Sequence, residues 1–522
     1  MRALAPLLLL AVPALATERA PVPRGASADR LQAALDACLR AAPASDRCFA
    51  LQLARARTLL ATDPAAAHTL AQAARSAVAD AHDAAENRVA PLDFRRRNGT
   101  ITPADAAALV RGEEQVRRLW IDLAEASEVL GDAALASGRI YREAAENYDS
   151  TVALLEEHGR GDADKRWRLR AKGKHAAAFT DSPSPGEGQK PAREAYDEAL
   201  AAYGPADPLT VSLALTLADS HTQLGRFDAA EPLYRDARAR LNDPAARLDA
   251  DARIMRLFTR MDRRQEAEAL GRDLLTRLAA TRADPLQSAR VYLDLATVVA
   301  PEEGLPLASN ALALRTQRLG EKHVDTARAQ LAIATLLEAL GRYAEAEPLR
   351  RTGVWALQGK LFAQHPETAT AWLRYGENLL LQGKLKEAAG ALRSAEFSVR
   401  DSVGETHPQY GRVLLLTGMT QLRQGDPQSV GTIERGLAII RAGLAPTHID
   451  RVQAELTWGM LKLMFGDAAT ALSQFRAVGR AGLERAAAFA DYGAAAQREL
   501  KQFSGVYTLQ IRAAWQLAAT KP

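Results

Sequence analysis

Aromatic side chains are scarce in this 522-residue chain, at 5%. Sheets draw on aromatic and β-branched residues, so a composition dominated by alanine and leucine argues for closely packed helices. An excess of one charge is also missing: 67 basic side chains face 63 acidic ones, a net +4. No block of like charge accompanies that small excess, and nothing resembles the electrostatic footprint of a nucleic-acid binder. Cysteine is limited to Cys38 and Cys48, without the CxxC spacing of zinc or dithiol redox sites. GxSxG, HExxH, a phosphate-cradling glycine loop and a dinucleotide fingerprint are all absent from the sequence. What remains, 48% hydrophobic and 25% charged residues, is ordinary for a folded soluble protein.

The one long apolar run opens the chain. MRALAPLLLLAVPALATE has a single Arg, a run broken by Pro6 and Pro13, and Ala14-Leu15-Ala16 before Thr17. It reads as a secretory signal over 1–16, cleaved after Ala16, because a membrane span needs about 20 apolar residues. No cysteine just beyond that point could accept a lipid. Residues 17–27 (TERAPVPRGAS) read as a flexible tether. The expectation is export, to a bacterial periplasm, with no integral membrane span. In an oxidising compartment Cys38 and Cys48 can staple a helical hairpin at its turn; two reduced, buried cysteines are the alternative.

Residues 28–180 read as an irregular helical N-terminal region. Breaks fall at Pro43–Asp46 and at Asp63-Pro64, where Asp63 has the look of an N-cap before a proline. The stretch 91–105 breaks the pattern with a turn at Asn98-Gly99 and a solvated basic run, Arg95 to Arg97, before a capped start at Thr102-Pro103. Helices are expected over 103–130 and 133–158, with Gly131-Asp132 as the turn between them, and over 162–180. A Pro/Gly linker at 181–191 then leads into a regular array at 192–483.

That array carries a register. Turns fall near Gly225, Arg263, Glu302, Gly341, Gly383, Gly425 and Gly466, in steps of 38, 39, 39, 42, 42 and 41 residues. His323, His365, His407 and His448 precede the last four at matching spacing. Such a period fits a pair of antiparallel helices plus a connection, and an amphipathic pair needs neighbours to bury its apolar faces. About seven pairs account for the stretch. Period-2 alternation never persists, so strands are not expected. Residues 484–522, with Phe503, Val506 and Trp515, read as capping helices.

The repeats resemble tetratricopeptide repeats, in the long form of kinesin light chains and many bacterial multi-repeat proteins. The matching segments are LADSHTQLGRFDAAEPLYRDA (217–237), LGEKHVDTARAQLAIATLLEALGRYAEAEPLR (319–350) and QHPETATAWLRYGENLLLQGKLKEAAGALRSA (364–395). The small residue at the helix crossing, the turn glycine and the second-helix alanine appear as Ala334/Gly341/Ala346 and Gly376/Gly383/Ala388. The Gly418/Gly425 repeat departs, with Val430 for the alanine, and Arg350 and Glu434 replace the usual second-helix aromatic, which implies local repacking. The resemblance implies an all-α fold, an α-solenoid of helix-turn-helix repeats in a right-handed superhelix with a concave peptide-binding face.

The four register histidines are not expected to form a metal site. Equivalent positions in successive helix pairs lie roughly 10 Å apart, whereas zinc needs each ligand at about 2 Å; helix-start and turn packing explains them. His221 reads as a core histidine. No catalytic, cofactor or metal residues are assigned. The resemblance places the partner groove on the first helix of each pair: Arg328; Glu377, Leu380 and Leu381; Arg412, Met419 and Leu422; Met460, Leu463 and Met464. The groove is polar early and increasingly apolar late, and methionines suit an adaptable surface. A tail folded over its late end is the rival arrangement, and the column of Arg328 and Arg412 could receive a peptide carboxylate. The expected function is a non-catalytic protein–protein interaction scaffold of the bacterial envelope. The alternative is an accessory subunit that presents substrate to a separate enzyme, since similar arrays also precede caspase-like protease domains.

Overall fold

A computed structural model of the chain describes residues 27–41, 46–60, 62–137, 141–180, 182, 184, 186–261, 263–281, 284–361, 363, 365–487, 497, 500, 501 and 503–519. The signal and nearly all of the tether, the Pro43 turn, Pro183, Pro185 and part of the tail lie outside them. The described residues form twenty-two α-helices and one short 3-10 turn, Asp46–Cys48. Seven helices come first: α1 (Ala28–Ala41), α2 (Phe49–Leu59), α3 (Pro64–Arg97), α4 (Pro103–Ala136), α5 (Tyr141–His158), α6 (Gly161–Ala178) and α7 (Gln189–Tyr203). Seven pairs follow: α8 (Pro208–Gln223) with α9 (Phe227–Arg240), α10 (Pro244–Arg260) with α11 (Arg264–Thr281), α12 (Pro285–Ala296) with α13 (Pro301–Leu319), and α14 (Val324–Ala339) with α15 (Tyr343–Leu361). The last three are α16 (Pro366–Leu381) with α17 (Leu385–Val403), α18 (Pro408–Gln424) with α19 (Ser429–Gly443), and α20 (Ile449–Met464) with α21 (Ala468–Ala487); α22 (Gly505–Ala519) ends the series.

The helices belong to two compact units that part after Val298, the first holding α1–α12 and the second α14–α22, with α13 contributing to both. Within each unit helices pack mainly on their neighbours in sequence, which is the architecture of an α-solenoid. No described helix is long and apolar enough to cross a membrane.

Capping explains where the helices start. Asp63 accepts from Ala66 N at 3.0 Å and Thr102 from Asp105 N at 3.1 Å, each before a proline at the first helical position. In the array the same job falls to Asp207, Asp243 and Asp284, and then to the four register histidines. The Nδ1 of His323, His365, His407 and His448 accepts the amide of the residue two positions on, at 3.1 to 3.2 Å. A lone-pair nitrogen thus satisfies an orphan donor of the first turn. Between the two helices of a pair, Gly341 and Gly383 adopt φ of +73° and +77°, a conformation that a side chain disfavours.

Three expectations are corrected. Residues 91–97 are helical: α3 continues through Pro91 to Arg97, and only 98–102 form the turn. Gly131 is not a turn but sits inside α4, where a Cβ would meet the Tyr148 ring at 2.6 Å; its smallness serves a helix crossing. The third turn lies at 297–300, so Glu302 belongs to the first turn of α13. Cys38 and Cys48 form a disulfide, with Cα atoms 5.8 Å apart, which ties α1 to the start of α2.

The departures from the repeat pattern also resolve. Arg350 is buried, and its guanidinium grips both oxygens of Glu338 at 3.0 and 2.6 Å and the Thr335 hydroxyl at 2.9 Å. In the next pair the register slips by one residue, because Ser429 is four positions after Gly425 whereas Ala346 is five after Gly341. Ser429 and Ile433 are therefore the buried residues, and Glu434 is exposed. A Cβ on Gly418 would lie 2.5 Å from Ile433 Cγ1, so the α18–α19 crossing requires glycine.

Candidate partner-binding face

The candidate residues all lie on the first helices of the second unit. Arg328 on α14 donates to both carboxylate oxygens of Glu367 on α16, at 2.8 and 2.9 Å, and to Asp325 at 3.0 Å. Burial opposes its positive charge, but these carboxylates hold its pKa above the usual arginine value. Arg412 on α18 reaches back to Glu377 on α16 and forward to Asp450 on α20, each at 3.2 Å. Glu377 also accepts from Arg374 at 2.9 Å. Arg328, Glu377 and Arg412 therefore brace successive pairs, and their charges are already neutralised. The idea that Arg328 and Arg412 wait for a peptide carboxylate is replaced by this strutwork.

The apolar candidates divide by helical angle. Residues six and two positions before a turn glycine are four apart and share a face, whereas the residue three before it lies about 100° from the latter. Leu381, Met460 and Met464 accordingly stand in solvent, at 53%, 40% and 75% exposure. Leu380 and Leu463 are turned into the core against their second helices, at 2% and 7%; they offer no open surface, which corrects their placement in the groove. Met419 and Leu422 are half-buried at the edges of two core clusters. Arg423, at the position equivalent to Leu381 and Met464, donates to the Leu380 carbonyl at 2.8 Å.

Phe465, 55% exposed and next to Met464, was not among the sequence candidates. Its place beside Gly466 in the turn was the available signal. Along α20, Gln453, Met460 and Met464 are exposed, with Leu456 and Thr457 half-buried between them. The late face thus combines apolar side chains with flexible thioethers and few free charges. It can take up an apolar segment by contact.

Elsewhere the histidines are engaged in packing. His221 is buried and its Nε2 accepts from Arg193 at 3.1 Å, burial lowering its pKa. His82 and His158 flank Trp120, with ring centroids 4.0 and 5.0 Å away. Among the described residues no group of three or more His, Cys, Asp or Glu is placed to hold a metal.

No family model matches the sequence, and no curated protein matches it. Solved structures do. The kinesin light chain TPR-like repeats of Podosopora anserina overlap at TM-score 0.35 and 19% identity, over 38% of this chain and 97% of that one. The apo form of RapI overlaps at TM-score 0.47 and 13% identity, over 68% of this chain and 99% of that one. A Rap protein complexed with competence and sporulation factor overlaps at TM-score 0.45 and 13% identity, over 75% and 99% of the two chains.

Proposed function

We propose that this protein is a non-catalytic scaffold of the bacterial cell envelope that binds a protein or peptide partner on the face formed by α18 and α20. One observation carries the reading. The position held on α16 by ion-paired Glu377 is held by Met419 on α18 and by exposed Met460 on α20, and Met464 and Phe465, which follow on the chain, are exposed as well. A contiguous apolar patch with methionines is suited to docking an apolar segment. The Cys38–Cys48 disulfide supports an oxidising compartment, as does the signal-like run at residues 1–16.

Crosslinking of residues 17–522 in the protein's own envelope extract, read by mass spectrometry, tests the proposal. A Met460→Glu, Met464→Glu variant runs beside it; both sites are exposed, so the variant keeps its fold. A dominant partner captured by the parent and lost in the variant is the expected result. Partners indifferent to the change would move the working surface away from this face.

A further inference from the structure

The last described helix, α22, is apolar on two opposite sides. Of its 15 residues only Arg512 is charged. One side faces α21: Val506 and Ala513 are buried in one cluster with Phe475 and Val478, and Leu509 and Leu517 pack against it. Gln510 Nε2 donates to the Phe475 carbonyl at 3.0 Å, which fixes how α22 is turned on its neighbour. The other side points away from that cluster. Tyr507, Ile511 and Trp515 recur at four-residue intervals and so form one stripe, and they are 43%, 61% and 76% exposed. A helix that is hydrophobic all round is ordinarily buried, and one that caps a repeat stack ordinarily shows water a polar outer face. Among the described residues nothing covers the stripe on α22.

Size and charge decide what fits it. Scaled by their exposure, the three large side chains present roughly 300–400 Å², about half of what each partner brings to a standard protein interface. A second copy docked stripe on stripe about Ile511 therefore buries too little, and it brings two Arg512 guanidiniums close to the twofold axis. The charge around the stripe has one sign. Residues 500–522 contain Lys501, Arg512 and Lys521 and no acidic residue, and Lys501 and Arg512 are exposed. On α21, exposed Arg476 and Arg480 stand on either side of Gly479 in the chain, and a Cβ on Gly479 would lie 3.6 Å from Tyr507 Cε1. Glu484, a turn further on, is the single acid of that helix. Tryptophan and tyrosine accompanied by arginine and lysine suit a segment lying in the interface between membrane and water. A helix of 15 residues is too short to span a bilayer, which takes about 20, but it can lie along one. We propose that the outer face of α22 docks on an anionic lipid bilayer surface. Ile511 and Trp515 sit at the boundary of the acyl chains, and Arg512 and its basic neighbours meet the lipid phosphates.

Flotation of residues 17–522 with lipid vesicles tests this; the run at 1–16 is left out because it is itself apolar. Vesicles of phosphatidylglycerol and phosphatidylcholine in equal parts are compared with phosphatidylcholine alone. The protein is expected to float with the mixed vesicles, about tenfold less with phosphatidylcholine alone, and less as salt rises. Ile511→Glu, Trp515→Glu is expected to weaken binding to the mixed vesicles about tenfold or more, with circular dichroism checking that its helices are kept. Met460→Glu, Met464→Glu adds the same charge on a different face and leaves that binding within about twofold of the parent. Absence of flotation, equal flotation with both vesicles, an Ile511/Trp515 variant that binds like the parent, or a methionine variant that loses binding equally would each overturn the assignment. A dimer seen by light scattering in the parent, and broken by Ile511→Glu, Trp515→Glu, would overturn it in favour of a second copy on this face.

Discussion

The buried pair Arg350–Glu338 offers a quantitative test, because the next pair of helices solves the same packing problem without charge. Arg350 lies nine residues after Gly341, and Glu338 three before it. The equivalents around Gly383 are Leu392 and Leu380, both in one apolar cluster. The Arg350 side chain is 5% exposed and that of Glu338 19%. Glu338→Leu leaves the guanidinium buried with only the Thr335 hydroxyl at 2.9 Å, at a cost of about 3–5 kcal/mol. Arg350→Leu leaves a carboxylate that is partly solvated and still bonded to the Asn378 amide at 2.8 Å, so the loss is smaller, about 2–3 kcal/mol. The double substitution reproduces the neighbouring leucine pair and should fall within about 1 kcal/mol of the parent, since replacing a buried ion pair by apolar residues is often neutral. Coupling of at least about 3 kcal/mol is therefore expected. Urea denaturation followed by tryptophan emission reads this region, because Trp355 on α15 and Trp372 on α16 lie beside it. A double variant as unstable as the sum of the two single losses would refute the reasoning, and so would a Glu338→Leu variant as stable as the parent.

Other perturbations probe the remaining devices. The His365 cap works only while Nδ1 is unprotonated, and burial lowers the pKa of this histidine, with Glu367 opposing and Arg328 reinforcing that shift. Its contribution is full above the unfolded value of about 6.5 and is lost as the pH falls through the lower native value, so melting temperature should drop between pH 7 and 5. His365→Asn keeps a cap without titrating there and should flatten that profile. Gly418→Leu places a side chain where Ile433 Cγ1 and the Ser429 carbonyl are 2.5 and 2.9 Å from a Cβ; the urea midpoint should report a loss of about 1–3 kcal/mol or more. Reducing Cys38–Cys48 releases a short loop worth about 2–3 kcal/mol, which limited proteolysis should register as faster cleavage near residues 28–60 while 324–481 stay intact.

In five of the seven pairs the turn is marked by a glycine, Gly225, Gly341, Gly383, Gly425 and Gly466, because the backbone between the two helices has positive φ there; the turns at 261–263 and 297–300 carry no such mark, and the second was placed a few residues late. The same logic misled at Gly131. A glycine needed for a close helix crossing and a glycine needed for a turn look alike in a sequence, and only the Tyr148 ring packed on α4 tells them apart. Pro91 misled for a related reason. A proline costs a helix one hydrogen bond and some bending, and a 34-residue helix packed along α4 over much of its length tolerates both.

The candidate face was legible in part, for reasons of helical geometry. Counting back from a turn glycine assigns residues to a helix and a turn, and of those it names Leu381, Met460 and Met464 are exposed. It could not separate those from Leu380 and Leu463, because one residue of offset rotates a side chain by about 100°, from solvent into the core. Nor could it foresee that Arg328 and Arg412 would be spent on Glu367, Glu377 and Asp450, since these partners come from the following or preceding pair, some forty positions away. The repeat itself makes that pairing possible. Equivalent positions of adjacent first helices lie side by side, so an acid one pair away from an arginine braces the stack instead of facing a ligand. Where Met419 and Met460 stand in the place of Glu377 and Gln453 stands in the place of Arg412, the brace ends and an apolar surface begins, and the distinction between holding the array together and binding something to it is written in those exchanges.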